Sequence, residues 1–279
     1  MPEHRRLDLA PDLTVLCADN AGPMTLDGTR SYLIGREHLA IVDPGPNRPG
    51  QLEALARIVN GRDVAVVLLT HAHADHAGAA AGAARRFGAE LRASADTLSR
   101  LGPGVDGRAL EDGETVTPEE GLSLTAIHAP GHSADHVCYL AEPGRRLLTG
   151  DLVLGEGSSA ILHPDGRVAD SLASLARLIA LRPALLLPGH GPPIEAAMSR
   201  LEEYRRHRLE RERQVRAAIA AGARTVPEIR EAVYGTLPDG LTWAADASVA
   251  AHLAALAERG ETVPDYGAWA ADEEDAGAR

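Results

Sequence analysis

A continuous apolar run at residues 64–69, VAVVLL, leads directly into three histidines and one aspartate in the stretch THAHADHAG. Such a run is typical of a strand that is buried on both faces of a sheet, with helices covering the sheet. Polar side chains at the end of such a strand stand where α/β proteins place binding and catalytic groups. The spacers within the cluster are alanines, which leave the polar side chains free to turn toward a common point. We therefore predict an α/β fold with a functional site after this strand.

Further strands and helices alternate along the first two thirds of the chain. Short apolar runs bounded by glycine and proline predict strands at 13–18, 31–35, 38–43, 89–94, 122–130, 136–142, 145–151 and 183–190. Helical spacing of apolar residues predicts helices at 47–61, 77–88 and 168–181.

The composition changes after about residue 195. Residues 197–222 form one long predicted helix that is rich in acid–base pairs four residues apart, such as Glu202 with Arg206. Two shorter helices are predicted at 225–235 and 247–263, with a terminal hairpin as an option. This pattern suggests a small, mainly helical domain of the winged-helix kind, followed by a polar, flexible tail.

Three imidazoles and a carboxylate within six positions are suitable ligands for transition metals. His71 and His73 can face one point, while Asp75 and His76 reach a second point beside it. Neutral imidazole and carboxylate suit zinc, with manganese or iron as harder competitors. A solvated, histidine-rich turn is the alternative, and the apolar strand directly before the cluster makes that alternative weaker.

One cluster cannot complete two coordination shells, so a metal site requires further ligands downstream. The stretch HAPGHSADH offers His128, His132 and His136 after a predicted strand. Two later strands run into LLTGD and LLLPGH, which end in Asp151 and His190. A glycine precedes each of these last two residues and lets the backbone turn sharply. Four strand-end polar sites in one chain favour a shared metal centre.

These motifs resemble those of the metallo-β-lactamase superfamily, whose pattern is HxHxDH followed by a single His, an Asp and a final His. The resemblance covers roughly residues 12–195 and implies an αββα sandwich. It implies two ligand sets with a shared member: His71, His73 and His132 for the first metal, Asp75, His76 and His190 for the second, and Asp151 bridging both.

Other stretches resemble the β-lactamase-like protein type 2 group within that superfamily. They are NAGPMTLDGTRSYLIG, IVDPGPN, GDLVLGEGSS and HRLERERQV. That resemblance implies a lactamase-fold catalytic domain at 1–197, a winged-helix-like helical domain at 198–270 and a flexible tail at 271–279. The group includes endoribonucleases that act on single-stranded RNA.

The predicted function is a binuclear metal-dependent hydrolase that holds two Zn²⁺ ions, or Mn or Fe in their place. A hydroxide bridging the metals would attack an ester, a thioester or a phosphodiester. Asp75 is the predicted catalytic residue, because it can both bind the second metal and accept a proton from the attacking water. Ser158, Ser159 and His163 are candidates for substrate contact near the mouth of the site, although a glycine–serine turn explains the two serines equally well.

Charge and composition bear on the substrate and on the compartment. The net charge is −12, and arginine supplies all 28 basic residues. An acidic surface disfavours the binding of polyanions. The two candidate substrates are therefore a small ester or thioester and, as the less favoured one, single-stranded RNA. Two isolated cysteines in apolar runs, no signal pattern and no membrane-length apolar stretch predict a cytoplasmic protein, with a homodimer as an option. A winged-helix binding adaptor with a degenerate hydrolase domain is the alternative from a different class.

Overall fold

A computed structural model describes residues 4–238 and 240–264 of the chain. Twelve strands lie within them: β1 Arg5–Ala10, β2 Leu13–Cys17, β3 Arg30–Ile34, β4 His38–Val42, β5 Asp63–Leu68, β6 Glu90–Ala93, β7 Arg108–Ala109, β8 Thr115–Glu119, β9 Leu122–His128, β10 Val137–Glu142, β11 Arg146–Gly150 and β12 Leu185–Pro188. The same residues form eight helices: α1 Gln51–Val59, α2 Ala74–Ala77, α3 Ala80–Phe87, α4 Ala95–Arg100, α5 Val168–Leu181, α6 Ala197–Ala220, α7 Val226–Tyr234 and α8 Thr242–Glu258.

The strands form two mixed sheets. The larger sheet has the order β1-β2-β3-β4-β5-β6-β7, and the smaller has the order β12-β11-β10-β9-β8. In the larger sheet β1 to β4 pair antiparallel, while β4 to β7 pair parallel. In the smaller sheet β11 and β12 are parallel and the other pairs are antiparallel. This arrangement confirms the predicted α/β sandwich.

The chain divides into two compact units. The first comprises residues up to 128 together with 135–157 and 182–197, and it contains both sheets and helices α1 to α4. The second comprises 129–134, 158–181 and the chain from 198 onward, so it holds α5, nearly all of α6, α7 and α8. The domain boundaries inferred from the resemblance stay a prediction.

Alternation of side chains along the strands builds two cores in the first unit. Val15, Tyr32 and Ile34 pack in one core with Leu124 and Tyr139 from the smaller sheet. Their neighbours along the larger sheet point to its other face and pack with α1 and α3: Leu16, Leu33, Leu39 and Ile41. Because both faces of the larger sheet are covered, its central strands are apolar throughout rather than alternating.

Parallel pairing brings the carboxyl ends of several strands together at the edge that carries the polar motifs. β4 and β5 run parallel and are followed by Asp43 and by the histidine cluster. β11 and β12 also run parallel and are followed by Asp151 and His190. The two sheets meet at this edge, because the backbone N–H of Arg30 donates to the Gly189 carbonyl oxygen at 2.8 Å.

The second unit contains the predicted C-terminal helices, around an apolar core of its own. Val215, Val226, Ile229, Val249 and Leu253 are fully buried there and come from α6, α7 and α8. The predicted terminal hairpin lies mostly, and the tail at 271–279 wholly, outside the described residues. Among the helices that are described, none is long and apolar enough to cross a membrane.

Candidate metal centre

Most of the predicted ligands lie in the first unit, in loops that follow β5, β11 and β12. His71 and His73 come directly after β5, and His73 is the residue before the short helix α2. Asp75 and His76 lie within α2, which is one helical turn long. The loops after β11 and β12 add one side chain each: Asp151 and His190. His71, His76 and His190 are buried, while Asp75 is partly exposed.

Two pairs of imidazole rings in this cluster meet at nearly right angles, with their ring nitrogens close together. The Nε2 atom of His71 lies 2.9 Å from Nδ1 of His73. The Nε2 atoms of His76 and His190 lie 3.3 Å apart. A hydrogen bond between two ring nitrogens uses one N–H and one lone pair, and a cation bound between the rings would take the place of that proton.

Two carboxylates face the same imidazoles. Asp75 Oδ2 lies 3.2 Å from His190 Nε2 and 3.4 Å from His76 Nε2. Asp151 contacts the same two histidines through different oxygens, at 3.3 Å and 3.4 Å. The donor atoms form two overlapping groups, each with its ligand atoms within 4.8 Å of one another: His71, His76 and Asp151, and Asp75, His76 and His190. This is the binuclear His/Asp arrangement typical of the metallo-β-lactamase fold.

The glycine before His190 is required by space. A Cβ atom at Gly189 would lie 2.4 Å from Asp151 Oδ1 and 2.6 Å from His76 Cε1. Gly150, before Asp151, has φ +47°, and a Cβ there would lie 2.6 Å from His136 Nε2. The strand–glycine–ligand pattern in the sequence therefore reflects close approach of the backbone to the cluster as well as a sharp turn.

The electrostatics of the cluster balance negative carboxylates against protonated imidazoles. Burial lowers the pKa of His71 well below its ordinary value. Burial acts the same way on His76, but Asp75, Asp151 and Asp43 outweigh it and raise the pKa of His76 well above the ordinary value. Asp151 likewise outweighs burial at His190 and raises its pKa to about 9.

The carboxylates show the complementary shift. Burial alone would raise the pKa values of Asp75 and Asp151, but the neighbouring histidines His76 and His190 lower both. Carboxylates that stay ionised beside histidines holding protons form a site where a divalent cation can replace those protons. Neutral imidazole and carboxylate donors fit a divalent transition metal.

A buried aspartate that the sequence motifs did not single out supports the cluster. Asp43 follows β4 and accepts hydrogen bonds from Nδ1 of His76 at 2.8 Å and from N and Oγ1 of Thr70 at 2.8 and 2.7 Å. The bond to Nδ1 leaves Nε2 of His76 facing Asp75 and Asp151. Asp43 has φ +51°, which is rare for a residue with a side chain. The sequence signal is the VDPG turn at the end of a strand.

A second chain of hydrogen bonds reaches Asp75 from the loop before β3. Thr29 Oγ1 donates to Asp75 Oδ2 at 2.8 Å and accepts from Asn20 Nδ2 at 2.8 Å. Asn20 Oδ1 in turn accepts from the Thr29 backbone N–H at 2.8 Å. Thr29 is fully buried, and it fixes which way the Asp75 carboxylate faces. Neither Asn20 nor Thr29 was expected from the sequence.

Two neighbouring histidines, His128 and His136, make hydrogen-bonding contacts with backbone groups around the cluster. His136 Nε2 accepts from the backbone N–H of Asp151 at 3.1 Å, so it helps to orient that carboxylate. His128 Nε2 lies 3.1 Å from the Leu110 carbonyl oxygen, a contact that holds the side chain against the loop before β8. Asp135 was not expected from the sequence to contribute to the site. It accepts a hydrogen bond from the backbone N–H of Ala72 at 2.9 Å and so stabilises the loop that carries His71 and His73.

The remaining predicted site residues belong to the second unit. His132 is buried, and its Nδ1 lies 3.0 Å from the Ala160 carbonyl oxygen and 3.2 Å from Ser159 Oγ. Ser158 is exposed, whereas Ser159 is buried beside His132. His163 is half-buried and lines a cleft of about 180 Å³ with Arg167 and other residues of this unit. The ligand role of His132 and the substrate contacts of the other three stay predictions.

Comparison with known sequences identifies relatives over most of the chain. Residues 24–190 match the family model described as the metallo-beta-lactamase superfamily. The chain is 34% identical over 256 residues to the lactamase-like protein adaB of Aspergillus niger, covering 86% of this chain and 78% of that protein. It is 32% identical over 246 residues to the atrochrysone carboxyl ACP thioesterase of Aspergillus fumigatus, covering 82% and 76% of the two.

Solved structures agree with this relationship. A β-lactamase domain protein from Burkholderia ambifaria has the same fold, with a TM-score of 0.81, 24% identity and coverage of 94% of this chain and 90% of that chain. The protein TTHA1623 in a di-iron-bound form matches with a TM-score of 0.53 and 28% identity, over 64% of this chain and 94% of that chain. With its His/Asp cluster, the chain is therefore a hydrolase that belongs to the metallo-β-lactamase superfamily.

Proposed function

We propose that this protein is a metal-dependent thioesterase that hydrolyses acyl thioesters, with an acyl group on a carrier protein as the substrate class. The observation that carries the proposal is the buried cluster in which two carboxylates contact the same pair of imidazoles. The similarity to a protein named as a carrier-protein thioesterase favours a thioester over the other bonds that such a site can hydrolyse.

The metal ligands proposed are the seven residues inferred from the sequence: His71, His73, Asp75, His76, His132, Asp151 and His190. Two divalent ions bound by them would supply Lewis acidity and lower the pKa of water. We propose zinc, with manganese or iron as competitors, and the iron in the structural relative TTHA1623 makes iron a strong competitor.

The chain itself supplies orientation and a proton acceptor. Hydrolysis joins the water oxygen to the thioester carbonyl carbon, breaks the C–S bond and delivers one proton to the leaving thiolate. Asp75 is the proposed acceptor of the proton that water loses, and Thr29 holds its carboxylate by a 2.8 Å hydrogen bond. Asp43 and His136 keep His76 and Asp151 in place during this transfer.

Neither cysteine is placed to act as a nucleophile. Both are buried, and each thiol donates to a backbone carbonyl oxygen: Cys17 to Asp27 at 3.2 Å and Cys138 to Thr149 at 3.7 Å. Water is thus the nucleophile that the geometry favours. Two buried cysteines also support the proposed cytoplasmic location, where thiols stay reduced.

Ion pairing along α6 favours a thioester over RNA. The exposed arginines Arg206, Arg213 and Arg216 each pair with a glutamate of the same helix. A self-paired helix on a chain of net charge −12 offers little attraction for a polyanion. We keep the winged-helix character of this region and the homodimer as predictions that go with the proposal.

The proposal is tested with purified, metal-loaded protein and three substrates: an acyl thioester of pantetheine, the matching oxygen ester and single-stranded RNA. We expect thioester cleavage to exceed cleavage of the other two, and Asp75→Asn to lower its kcat by at least about 100-fold. Asp63→Asn, at an exposed aspartate paired with His38, is the matched control and should keep full activity. RNA cleavage that needs Asp75, with no thioester cleavage, would overturn the proposal in favour of an endoribonuclease.

A further inference from the structure

Arg208 is a buried arginine in the middle of α6. It is 5% exposed, and its Nη2 donates to the Ser159 carbonyl oxygen at 2.6 Å. In the part of the chain that the structure describes, no carboxylate lies within ion-pairing distance of it. Burial lowers the pKa of Arg208. A buried charge that is directed at one backbone carbonyl requires an explanation.

The carbonyl that Arg208 holds belongs to the segment that contacts His132. The Ser159 carbonyl oxygen accepts from Arg208, and the next carbonyl oxygen, that of Ala160, lies 3.0 Å from His132 Nδ1. A carbonyl oxygen can only accept a hydrogen bond, so this contact requires the proton of the neutral ring to be on Nδ1. The lone pair is then on Nε2, the nitrogen with which the ring would bind a metal.

Helix α8 also holds the Ser159–Ala160 segment. The peptide unit that carries the Ala160 carbonyl also carries the Ile161 N–H, which donates to Ser248 Oγ at 3.4 Å. Because a peptide unit is planar, holding its N–H also sets the direction of its carbonyl oxygen. Arg208 fixes the preceding peptide unit and Ser248 fixes this one.

The backbone of His132 is tightly packed. A Cβ atom at Gly166 would lie 2.5 Å from the His132 carbonyl oxygen. The backbone N–H of Arg167 donates to the Gly131 carbonyl oxygen at 3.0 Å, one residue before His132. The backbone of His132 is thus held, and the orientation of its ring depends on the Ser159–Ala160 segment.

We propose that Arg208 is a positioning residue for His132: from α6 it holds the segment whose carbonyl selects the tautomer of His132 that can bind a metal. This inference rests on the proposed function for the ligand role of His132. It gives the C-terminal helices a part in metal binding, in addition to any part they play in substrate recognition.

The test uses three variants of the full chain. Arg208→Met keeps the length and apolar stem of the side chain and removes its donors, while Arg208→Lys restores one charged donor. Arg205→Met removes an exposed arginine of the same helix and is the matched control. Ser248→Ala, which perturbs the same segment from α8, replaces Arg208→Met if that variant fails to fold in thermal denaturation.

Two readouts that do not depend on catalysis are measured for each variant. The first is the metal affinity of the protein, by competition with a chelator. The second is the tautomer of His132 in metal-free protein, from long-range ¹H–¹⁵N NMR spectra. We expect Arg208→Met to weaken the affinity of one metal site about tenfold or more and to lose the single Nδ1–H tautomer, with Arg208→Lys in between. Arg205→Met should match the wild type in both.

The inference is overturned if Arg208→Met folds and matches Arg205→Met in both metal affinity and tautomer. Failure of the proposed function gives a different result. If wild-type protein does not cleave thioesters, the thioesterase proposal is wrong. If Arg208→Met still loses the tautomer and metal affinity in that case, this inference stands.

Discussion

Asp43 is the residue on which the orientation of His76 depends most directly. It accepts three hydrogen bonds within a buried site, from His76 Nδ1 and from both the N–H and the hydroxyl of Thr70. All three partners donate, so the site needs an acceptor with two free oxygens.

In an asparagine at position 43, the side-chain NH₂ group would therefore face one of these donors instead of accepting a hydrogen bond from it. We expect Asp43→Asn to lower the free energy of unfolding by about 1–3 kcal/mol and to weaken metal binding about 10- to 100-fold. Urea denaturation and chelator competition measure the two effects. Asp63→Asn, at an exposed aspartate on β5, should change neither. Unchanged metal affinity in a folded Asp43→Asn protein would show that His76 is held by other contacts.

Thr29 orients the carboxylate of Asp75, the proposed proton acceptor. Its hydroxyl donates to Asp75 and accepts from Asn20, so a valine of similar shape removes both bonds. We expect Thr29→Val to lower kcat about tenfold or more with a smaller change in KM, because the carboxylate loses its fixed direction. Thr29→Ser keeps the hydroxyl and should stay within about twofold of wild type. Equal losses in the two variants would assign the effect to packing of the missing methyl group instead.

At the scale of the elements, one ion pair ties the two sheets together in the first unit. Arg146, the first residue of β11, donates from Nη1 and Nη2 to the two carboxylate oxygens of Asp12 at 3.1 and 2.8 Å. Asp12 lies in the turn between β1 and β2, so the pair joins the edge hairpin of the larger sheet to β11, the second strand of the smaller sheet. The side chain of Asp12 is 22% exposed and that of Arg146 is 11% exposed, which makes the pair stronger than a surface salt bridge.

The pH dependence of this pair has a definite sign. The hydrogen bond from Arg146, opposed by burial, lowers the pKa of Asp12, so its stabilisation is present above the unfolded value of about 3.9 and is lost as the pH falls through the folded value. We expect Asp12→Asn to lower the free energy of unfolding by about 2 kcal/mol at pH 7. The difference from wild type should shrink below about pH 4. A difference that is constant from pH 7 to pH 3 would contradict this assignment.

Sequence reasoning found the elements whose side chains are apolar on a regular period. The strand at 64–69 and the helix at 168–181 match β5 and α5 to within one residue. β1 was missed because only half of its residues, RRLDLA, are apolar, and nearly all of them are exposed at the edge of the sheet. α4, β7 and β8 are short and carry no strong period, so their structure depends on contacts that only the folded sheets provide.

The candidate ligands that directly follow strands were predictable from the sequence. The residues that orient them by hydrogen bonds from distant parts of the chain were not. Asp75, His76, Asp151 and His190 follow from spacing and from the strand–glycine pattern. Thr29 lies 46 residues before Asp75 in the chain, so their contact exists only after β3, β4 and β5 have paired in the larger sheet. Asp43 carries a local signal in VDPG, but its partner His76 is 33 residues away.

At the scale of the whole molecule, acid stability depends on a histidine in the second unit. His252 on α8 is 1% exposed, and burial together with Arg208 and Arg211 lowers its pKa to about 3. The unfolded chain has a histidine pKa of about 6.5. Below that pH the unfolded state takes up a proton that the folded state refuses, so stability falls as the pH drops from about 6.5 toward 3.

Replacing His252 with leucine removes this proton uptake. We expect the unfolding free energy of metal-free His252→Leu protein to fall less between pH 7 and pH 4 than that of metal-free wild type. His38→Gln is a control of opposite sign, because a hydrogen bond from the exposed His38 to Asp63 raises the pKa of His38. Parallel stability curves for wild type and His252→Leu would show that His252 does not titrate in unfolding.

The central claim is that the His/Asp cluster holds two metal ions that are required for hydrolysis. Its most direct test is a titration of metal-free protein with Zn²⁺, and separately with Mn²⁺ and Fe²⁺, that follows bound metal and thioester cleavage in the same samples. We predict that no cleavage occurs without metal and that cleavage rises until two equivalents are bound. His76→Ala, which removes one donor from the cluster, should bind fewer than two equivalents and stay inactive. Full activity in metal-free protein, or saturation of binding without any hydrolysis, would contradict the account.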